Sequence, residues 1–516
     1  MLLAGWALFS VASIWLRPLW PVDETRYASV AWETWLRGDF LVPYINGEPY
    51  SHKPPLLFWL IHLGWAAFGV NDWWPRLVAP LCALAAVPLL LKMEQLLWNE
   101  EQDGSSIWVL FGTLLFAGFI TLLMFDLLLM LCAMAGMIGI LELKDNNKKG
   151  ILWLGAGIGL GVLAKGPVIL LHLLPAAVVA PWWAPELRQK LGRWYLDLLL
   201  GVLLGAAIAL AWALPAAYFG GEAYRHAIFW GQTAGRVSES FAHRAPWWHY
   251  LPLLPMLLFP WFVWPRVWVG MKGVFQDSSS KFLIAWLVLT VIGFSLVSGK
   301  QAKYLVPMLP AFALLAGYAL SKAQGPARRW EMLPPAIGFL ALPAFLFYLR
   351  SRPAQMKLPE WAGEIPLWPL VLLALGAPIV LFFYRKSVAT QMRALAFAML
   401  AAVAVVGAGV IPAFVPYSDP GPAARHLAAL QEAQVPLAHL GKYHAQYNFA
   451  GRLRAPIAIL DNQELRAWVA AHPAGQVITV ERSRAGSGPE YQAPFRGAWV
   501  QVWRGPALLE ARPAPR

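Results

Sequence analysis

The stretch VDETRYA, beginning at Val22, sets the carboxylates of Asp23 and Glu24 beside the guanidinium of Arg26 and the phenol of Tyr27, just beyond an apolar N-terminal run. His52 and Lys53 follow in SHKPP, where Pro54 and Pro55 hold the backbone extended and narrow its conformational choice. A carboxylate at a helix end can be solvated and idle. Mixed with cations and placed beside hydrocarbon, it suits an anionic lipid headgroup. Further residues of this kind are Asp126 in FDLLLML, Lys165 in LAKGP, Arg236 in FWGQTAGRV, and Lys303 with Tyr304 in GKQAKYLVP. His243 and Arg244 precede a proline and an aromatic pair in AHRAPWWHY, a combination that can anchor a loop or stack on a sugar. Plainer readings stand beside these. Asp126 lies between two apolar runs, where a turn residue is common, and Lys165 at a membrane boundary can snorkel to water. A buried unpaired ammonium there would be costly.

The elements that must position these residues are membrane spans. Of 516 residues 59% are hydrophobic and 13% charged, against about 25% charged in soluble domains, so the chain reads as an integral membrane protein. Its 29 tryptophans suit the two membrane interfaces. Apolar runs at Arg76–Leu97, Ile107–Met124, Leu127–Leu143, Ile151–Leu163, Val168–Trp183, Trp194–Tyr218, Leu251–Trp264, Phe282–Val297, Tyr304–Leu320, Met332–Leu349, Leu367–Tyr384 and Ala394–Val415 join Leu2–Leu16, which lacks a basic start and a small-residue cleavage site. The expectation is about thirteen transmembrane helices. Basic segments at KDNNKK, ELRQKLGR, RVWVGMK, SKAQGPARR and YRKSVATQMR alternate between the runs and read as cytoplasmic loops. Counting from them puts the loop 22–76, Asp126, the loop 219–250, Lys300 and the C-terminus together on the opposite, periplasmic face. That parity requires PPLLFWLIHLGWAAFG from Pro54 to be an interfacial helix, not a span.

Beyond a transmembrane domain of residues 1–416, the Pro-rich PYSDPGP leads into 417–516, which reads as a small soluble α/β domain. AARHLAALQEA and NQELRAWVAA have helical periodicity, whereas PIAIL, QVITVE and AWVQVW are β-type runs. No catalytic motif is evident there, leaving substrate contact as its expected contribution. The net charge of +13 is that of a polytopic protein with basic loops, and no nucleic-acid reader is visible. Cys82 and Cys132 both lie in apolar runs, giving neither a disulfide framework nor metal-type spacing.

Taken together, DETRYA, RGDFLVPYINGEPYSHKPPLLFWL, NDWWPRL, FDLLLML, GVLAKGP, HRAPWWHYLP and GKQAKYLVPMLP resemble the lipid A aminoarabinose transferases and their bacterial relatives. These group with the protein mannosyltransferases in the membrane-embedded C superfamily of glycosyltransferases. The resemblance covers Met1 to about Pro416 and is most specific in the first loop. It implies an inverting glycosyltransferase of the bacterial inner membrane, moving a sugar from a polyprenyl (undecaprenyl) phosphate carrier to a periplasmic acceptor, lipid A or another envelope glycolipid.

By the same resemblance Asp23, assisted by Glu24, is the base or orienting carboxylate, Asp126 the second acidic position, and Lys53 and Arg236 the binders of carrier phosphate. Arg26, Tyr27, Lys165, His243, Arg244, Lys303 and Tyr304 are expected around the substrate. Relatives that transfer aminoarabinose tend to carry an acidic residue before the matching lysine, and a metal-ligating histidine where this chain has Thr233. Here His52 replaces the acid. A divalent metal ion with His52 as ligand is therefore a weaker expectation, and no organic cofactor is implied. The runner-up readings are protein O-mannosyl transfer and, outside enzymes, a lipid or oligosaccharide flippase, which would place charges at mid-membrane along a path.

Overall fold

The computed structural model describes residues 6–7, 10–11, 14–98, 103–231, 244–272, 274–323, 328–352 and 361–512. Its first complete helix, α1 (Asp23–Arg37), has two acidic residues in its opening turn, which complement the positive end of the helix dipole. It stops at Gly38, whose φ of 67° provides the left-handed C-cap. A short hairpin follows, β1 (Tyr44–Ile45) paired with β2 (Glu48–Pro49) around Asn46 and Gly47, both at positive φ. Then comes α2 (Leu56–Phe68), started by Pro54 and Pro55. Its 13 residues span about 20 Å, short of the roughly 30 Å hydrocarbon core. An interfacial position suits it.

Among the described residues seven helices are long and apolar enough to cross a membrane, and the chain is a multi-pass membrane protein. They include α3 (Trp73–Trp98), α7 (Leu191–Phe219), α8 (Ser278–Leu296) and the segment ending in α9 (Leu309–Lys322). The α4 (Asp126–Glu142), α5 (Asn147–Lys165) and α6 (Val168–Val178) helices lie between α3 and α7. Several runs expected as spans are not continuous helices, Val168–Trp183 among them, which breaks at Val179. Ile107–Met124 divides at Gly112 and Thr113 into Ser105–Phe111 and Leu114–Phe119. In Leu251–Trp264 only Leu254–Leu257 is α-helical, because Pro252, Pro255 and Pro260 each remove a backbone donor.

Glycines let α4, α5 and α7 approach closely, as small residues do between membrane helices. A Cβ on Gly157 would lie 2.4 Å from the backbone nitrogen of Gly136. Because α4 and α5 form an antiparallel hairpin, Asp126 at the start of one meets Lys165 at the end of the other. Their far ends carry Glu142, which accepts ion pairs from Lys92 (2.9 Å) and Lys149 (3.0 Å). Lys144–Glu186 (3.2 Å), Arg193–Asp197 (2.8 Å), the Trp98–Asp277 hydrogen bond and the buried Arg266–Glu331 pair join the other basic segments at that same end. The bundle therefore has one end rich in basic loops and another that holds Asp23, Asp126 and Lys303.

Residues 421–512 carry a five-stranded sheet in the order β4 (Ala458–Leu460), β3 (Leu437–Leu440), β5 (Gln476–Glu481), β7 (Ala498–Arg504), β6 (Tyr491–Phe495). The β3 strand is parallel to β4 and β5, and β7 is antiparallel to both β5 and β6. This unit sits on α1. Ser29 Oγ donates to the Ala445 carbonyl at 2.7 Å and accepts from Phe449 N at 3.0 Å, while Trp32 Nε1 donates to Leu453 O at 2.8 Å. Asn46 at the hairpin tip bonds both backbone groups of Ile457, and Phe449 stacks on Trp65. Phe449 belongs to the same apolar core as the helical bundle.

Candidate active site

Asp23 opens α1 and is about one-third exposed, with one oxygen against Arg26 and the other 3.1 Å from Lys303 Nζ. Burial alone would raise its pKa, but Lys303, Arg26 and Lys53 outweigh that and hold the carboxyl below the usual carboxylate range. It stays ionised. Asp126 is buried at the start of α4 and pairs with Lys165, itself largely buried. Lys165 Nζ also lies 5.2 Å from the centre of the Tyr304 ring.

Phe125 joins the first loop to α4. Tyr27 meets its ring edge-on at 4.8 Å and Phe58 at 5.6 Å, and Lys53 Nζ stands 6.0 Å from its centre. Tyr27 is buried and its phenol is pushed well above the usual range, by burial first and then by Asp23. It remains a neutral hydrogen-bonding group. Asp23, Arg26, Tyr27, Lys53, Asp126, Lys165, Lys303 and Tyr304 thus gather at one end of the bundle, four cations around two carboxylates. Arg244 pairs through its backbone with Gly299, next to Lys300, whose ammonium donates to the carbonyls of Ala245 and Val297. Arg236, His243 and Thr233 lie outside the described residues.

Glu24 departs from the expected role beside Asp23. It is 2% exposed, and its oxygens accept from Arg17, from Trp20 N at 2.7 Å and from Leu123 N at 2.5 Å. Arg17 also donates to the Thr121 carbonyl. Every Glu24 oxygen is used in tying the start of α1 to the segment before α4, which makes it a strut for the site. Sequence reading missed Arg17, although an arginine before Pro18 at the end of an apolar run is an unusual placement. Its partners at Thr121 and Leu123 are too distant in sequence to be inferred.

His52 is exposed, its ring 5.4 Å from that of Tyr50. Among the described residues no three His, Cys, Asp or Glu side chains converge as a metal site requires, and both Asp23 oxygens already face cations. Among the described residues this donor set does not fit a protein-held divalent ion.

Comparison with known proteins places this geometry in context. The profile of the dolichyl-phosphate-mannose-protein mannosyltransferase family matches residues 52–219. The undecaprenyl phosphate-α-4-amino-4-deoxy-L-arabinose arabinosyl transferase 1 of Pseudomonas fluorescens is 30% identical over 379 residues, 70% of this chain and 67% of that protein. The corresponding transferase of Pseudomonas paraeruginosa is 31% identical over 393 residues, 73% and 69% of the two chains. In fold, the chain superposes on the crystal structure of ArnT from Cupriavidus metallidurans bound to undecaprenyl phosphate with a TM-score of 0.77, covering 97% of this chain and 96% of that one at 19% identity. The chain belongs to the undecaprenyl phosphate-aminoarabinose arabinosyl transferase family of lipid-linked sugar glycosyltransferases.

Proposed function

We propose that the chain transfers a sugar, with inversion, from undecaprenyl phosphate to lipid A or another envelope glycolipid at the periplasmic face of the bacterial inner membrane. The observation that carries this reading is the gathering of Arg26, Lys53, Lys165 and Lys303 around Asp23 and Asp126 at the end of the bundle away from the basic loops. As the bond from the sugar C1 to the carrier oxygen breaks, its electron pair leaves on the carrier phosphate, and preorganised ammonium groups stabilise that charge. Lys53 and Lys303 are the phosphate contacts in this account. Lys165 and Asp126 set the depth of the pocket.

Asp23 faces the acceptor. A carboxylate held below its usual range is a weak general base, since efficiency falls as basicity falls. Its pairing with Arg26 and Lys303 suits holding those cations toward an acceptor whose nucleophile is already an anion better than deprotonating a sugar hydroxyl. The orientation follows from the loop-charge rule, with the basic end cytoplasmic. The match to protein mannosyltransferases over residues 52–219 favours a protein acceptor as the second reading.

Mass spectrometry of envelope glycolipids from cells with and without the chain decides between them. A glycolipid heavier by one sugar residue only when the chain is present supports the proposal. A mass gain on periplasmic protein alone supports the alternative.

A further inference from the structure

The carboxyl ends of β3 and β6 lie along one edge of the C-terminal sheet, because β6 is antiparallel to β7 and β7 to β5, while β5 is parallel to β3. In open α/β sheets ligands bind at the carboxyl ends of strands. Here that edge is turned toward α1. The loop leaving β3 carries Lys442 and His444, both exposed. It is pinned at the next residue, where the Ala445 carbonyl accepts from Ser29, one turn along α1 from Arg26. The hairpin joining β6 to β7 is the two-residue turn Arg496–Gly497, with φ of 53° and 79°. Its tip is held by the Arg496 amide donating to the Tyr417 carbonyl at 2.7 Å.

Two anchored backbones thus present Lys442, His444 and Arg496 above the Asp23 end of α1. Nothing in the carrier-phosphate account uses these three residues. We propose that Lys442, His444 and Arg496, completed by Arg26 of α1, form an acceptor-side subsite that binds a phosphate ester on the glycolipid. It lies across Asp23 from the lysines that hold the carrier. The electrostatics agree: burial lowers the basicity of His444, and Arg26, Lys442 and Arg496 lower it further against the opposing pull of Asp23. This concentration of positive charge has an anion as its natural occupant. The C-terminal domain then selects the acceptor while the helical bundle selects the donor.

This inference rests on the reading of the chain as a glycolipid-directed transferase, and its test keeps the two apart. The full chain in phosphatidylcholine nanodiscs is titrated with diphosphoryl lipid A, with dephosphorylated lipid A and, separately, with undecaprenyl phosphate. Wild type and the double variant K442E/R496E are compared; both positions are exposed, so folding is retained. The expected result is a tenfold or greater rise in Kd for diphosphoryl lipid A in the variant, with undecaprenyl phosphate affinity unchanged and dephosphorylated lipid A bound weakly by both proteins. Equal affinity of the two proteins for diphosphoryl lipid A overturns the subsite. So does displacement of lipid A from wild type by phosphatidylglycerol in the nanodisc, which would assign the cluster to bilayer headgroups. Failure of wild type to bind undecaprenyl phosphate at all would instead strike the functional reading.

Discussion

At the scale of single residues, the two carboxylates of the first loop have opposite duties despite being neighbours in sequence. Asp23 is partly open and held ionised by Lys303, Arg26 and Lys53. Asp23→Asn is expected to lower sugar transfer by about 100-fold or more while leaving undecaprenyl phosphate affinity within a few fold, read from kcat and from direct titration. Lys303→Met removes the cation that most opposes Asp23 protonation. The carboxyl should then titrate at higher pH, and the acid limb of kcat/KM should move upward; an unmoved limb would show that Asp23 does not govern it. Glu24→Gln leaves the Arg17 guanidinium buried without its countercharge. That is expected to destabilise the protein by about 3–5 kcal/mol in thermal unfolding, without changing the acid limb. The sequence made Asp23, Lys53, Asp126 and Lys165 visible as misfits in apolar surroundings. It could not separate Asp23 from Glu24, because the contact that ties Glu24 into the segment before α4, Leu123 N, lies 99 residues away.

At the scale of elements, periodicity and length located α3, α7 and α8 within a few residues, since a long apolar run has few alternatives in a membrane. The run at Ile107–Met124 misled because hydropathy does not register a break at Gly112–Thr113, and Leu251–Trp264 misled because its prolines were not weighed. The expectation of a short helix after the two prolines matches α2, whose 13 residues stop at Gly69, fewer than the roughly 20 a transmembrane helix needs. Close helix packing was not legible. Gly157→Ala would force a Cβ against the backbone of Gly136 and Cys132, and is expected to reduce the yield of monodisperse protein in detergent, whereas Gly192→Ala, facing open space, should not. In the C-terminal sheet, QVITVE and AWVQVW are the paired strands β5 and β7. The buried ring of His439 in β3 is pushed down from 6.5 to about 4 by burial. Its neutral form favours the fold, so the stability it contributes is present above pH 6.5 and declines as pH falls toward 4. His439→Leu should flatten that part of the pH dependence of thermal unfolding; an identical profile would show that other groups dominate.

At the scale of the whole molecule, the account requires the charged groups of distant segments to meet at one end of the bundle and the basic loops at the other. Both native cysteines are buried, so single exposed cysteines report orientation on a quiet background. A membrane-impermeant thiol reagent applied from the periplasm is expected to label Arg466→Cys in the C-terminal domain and not Lys149→Cys at the basic end. The sequence supplied this two-sided arrangement through its loop charges, but it did not supply the docking of the C-terminal domain on α1 through Ser29, Trp32 and Phe449. Those contacts join residues more than 380 positions apart and depend on loops without a motif. The most direct test of convergence is the affinity of the full chain for undecaprenyl phosphate in nanodiscs. Lys53→Ala and Lys303→Ala, from segments 250 residues apart, are each expected to weaken it about tenfold or more, with Lys149→Ala unchanged; wild-type affinity in both variants would contradict the shared pocket.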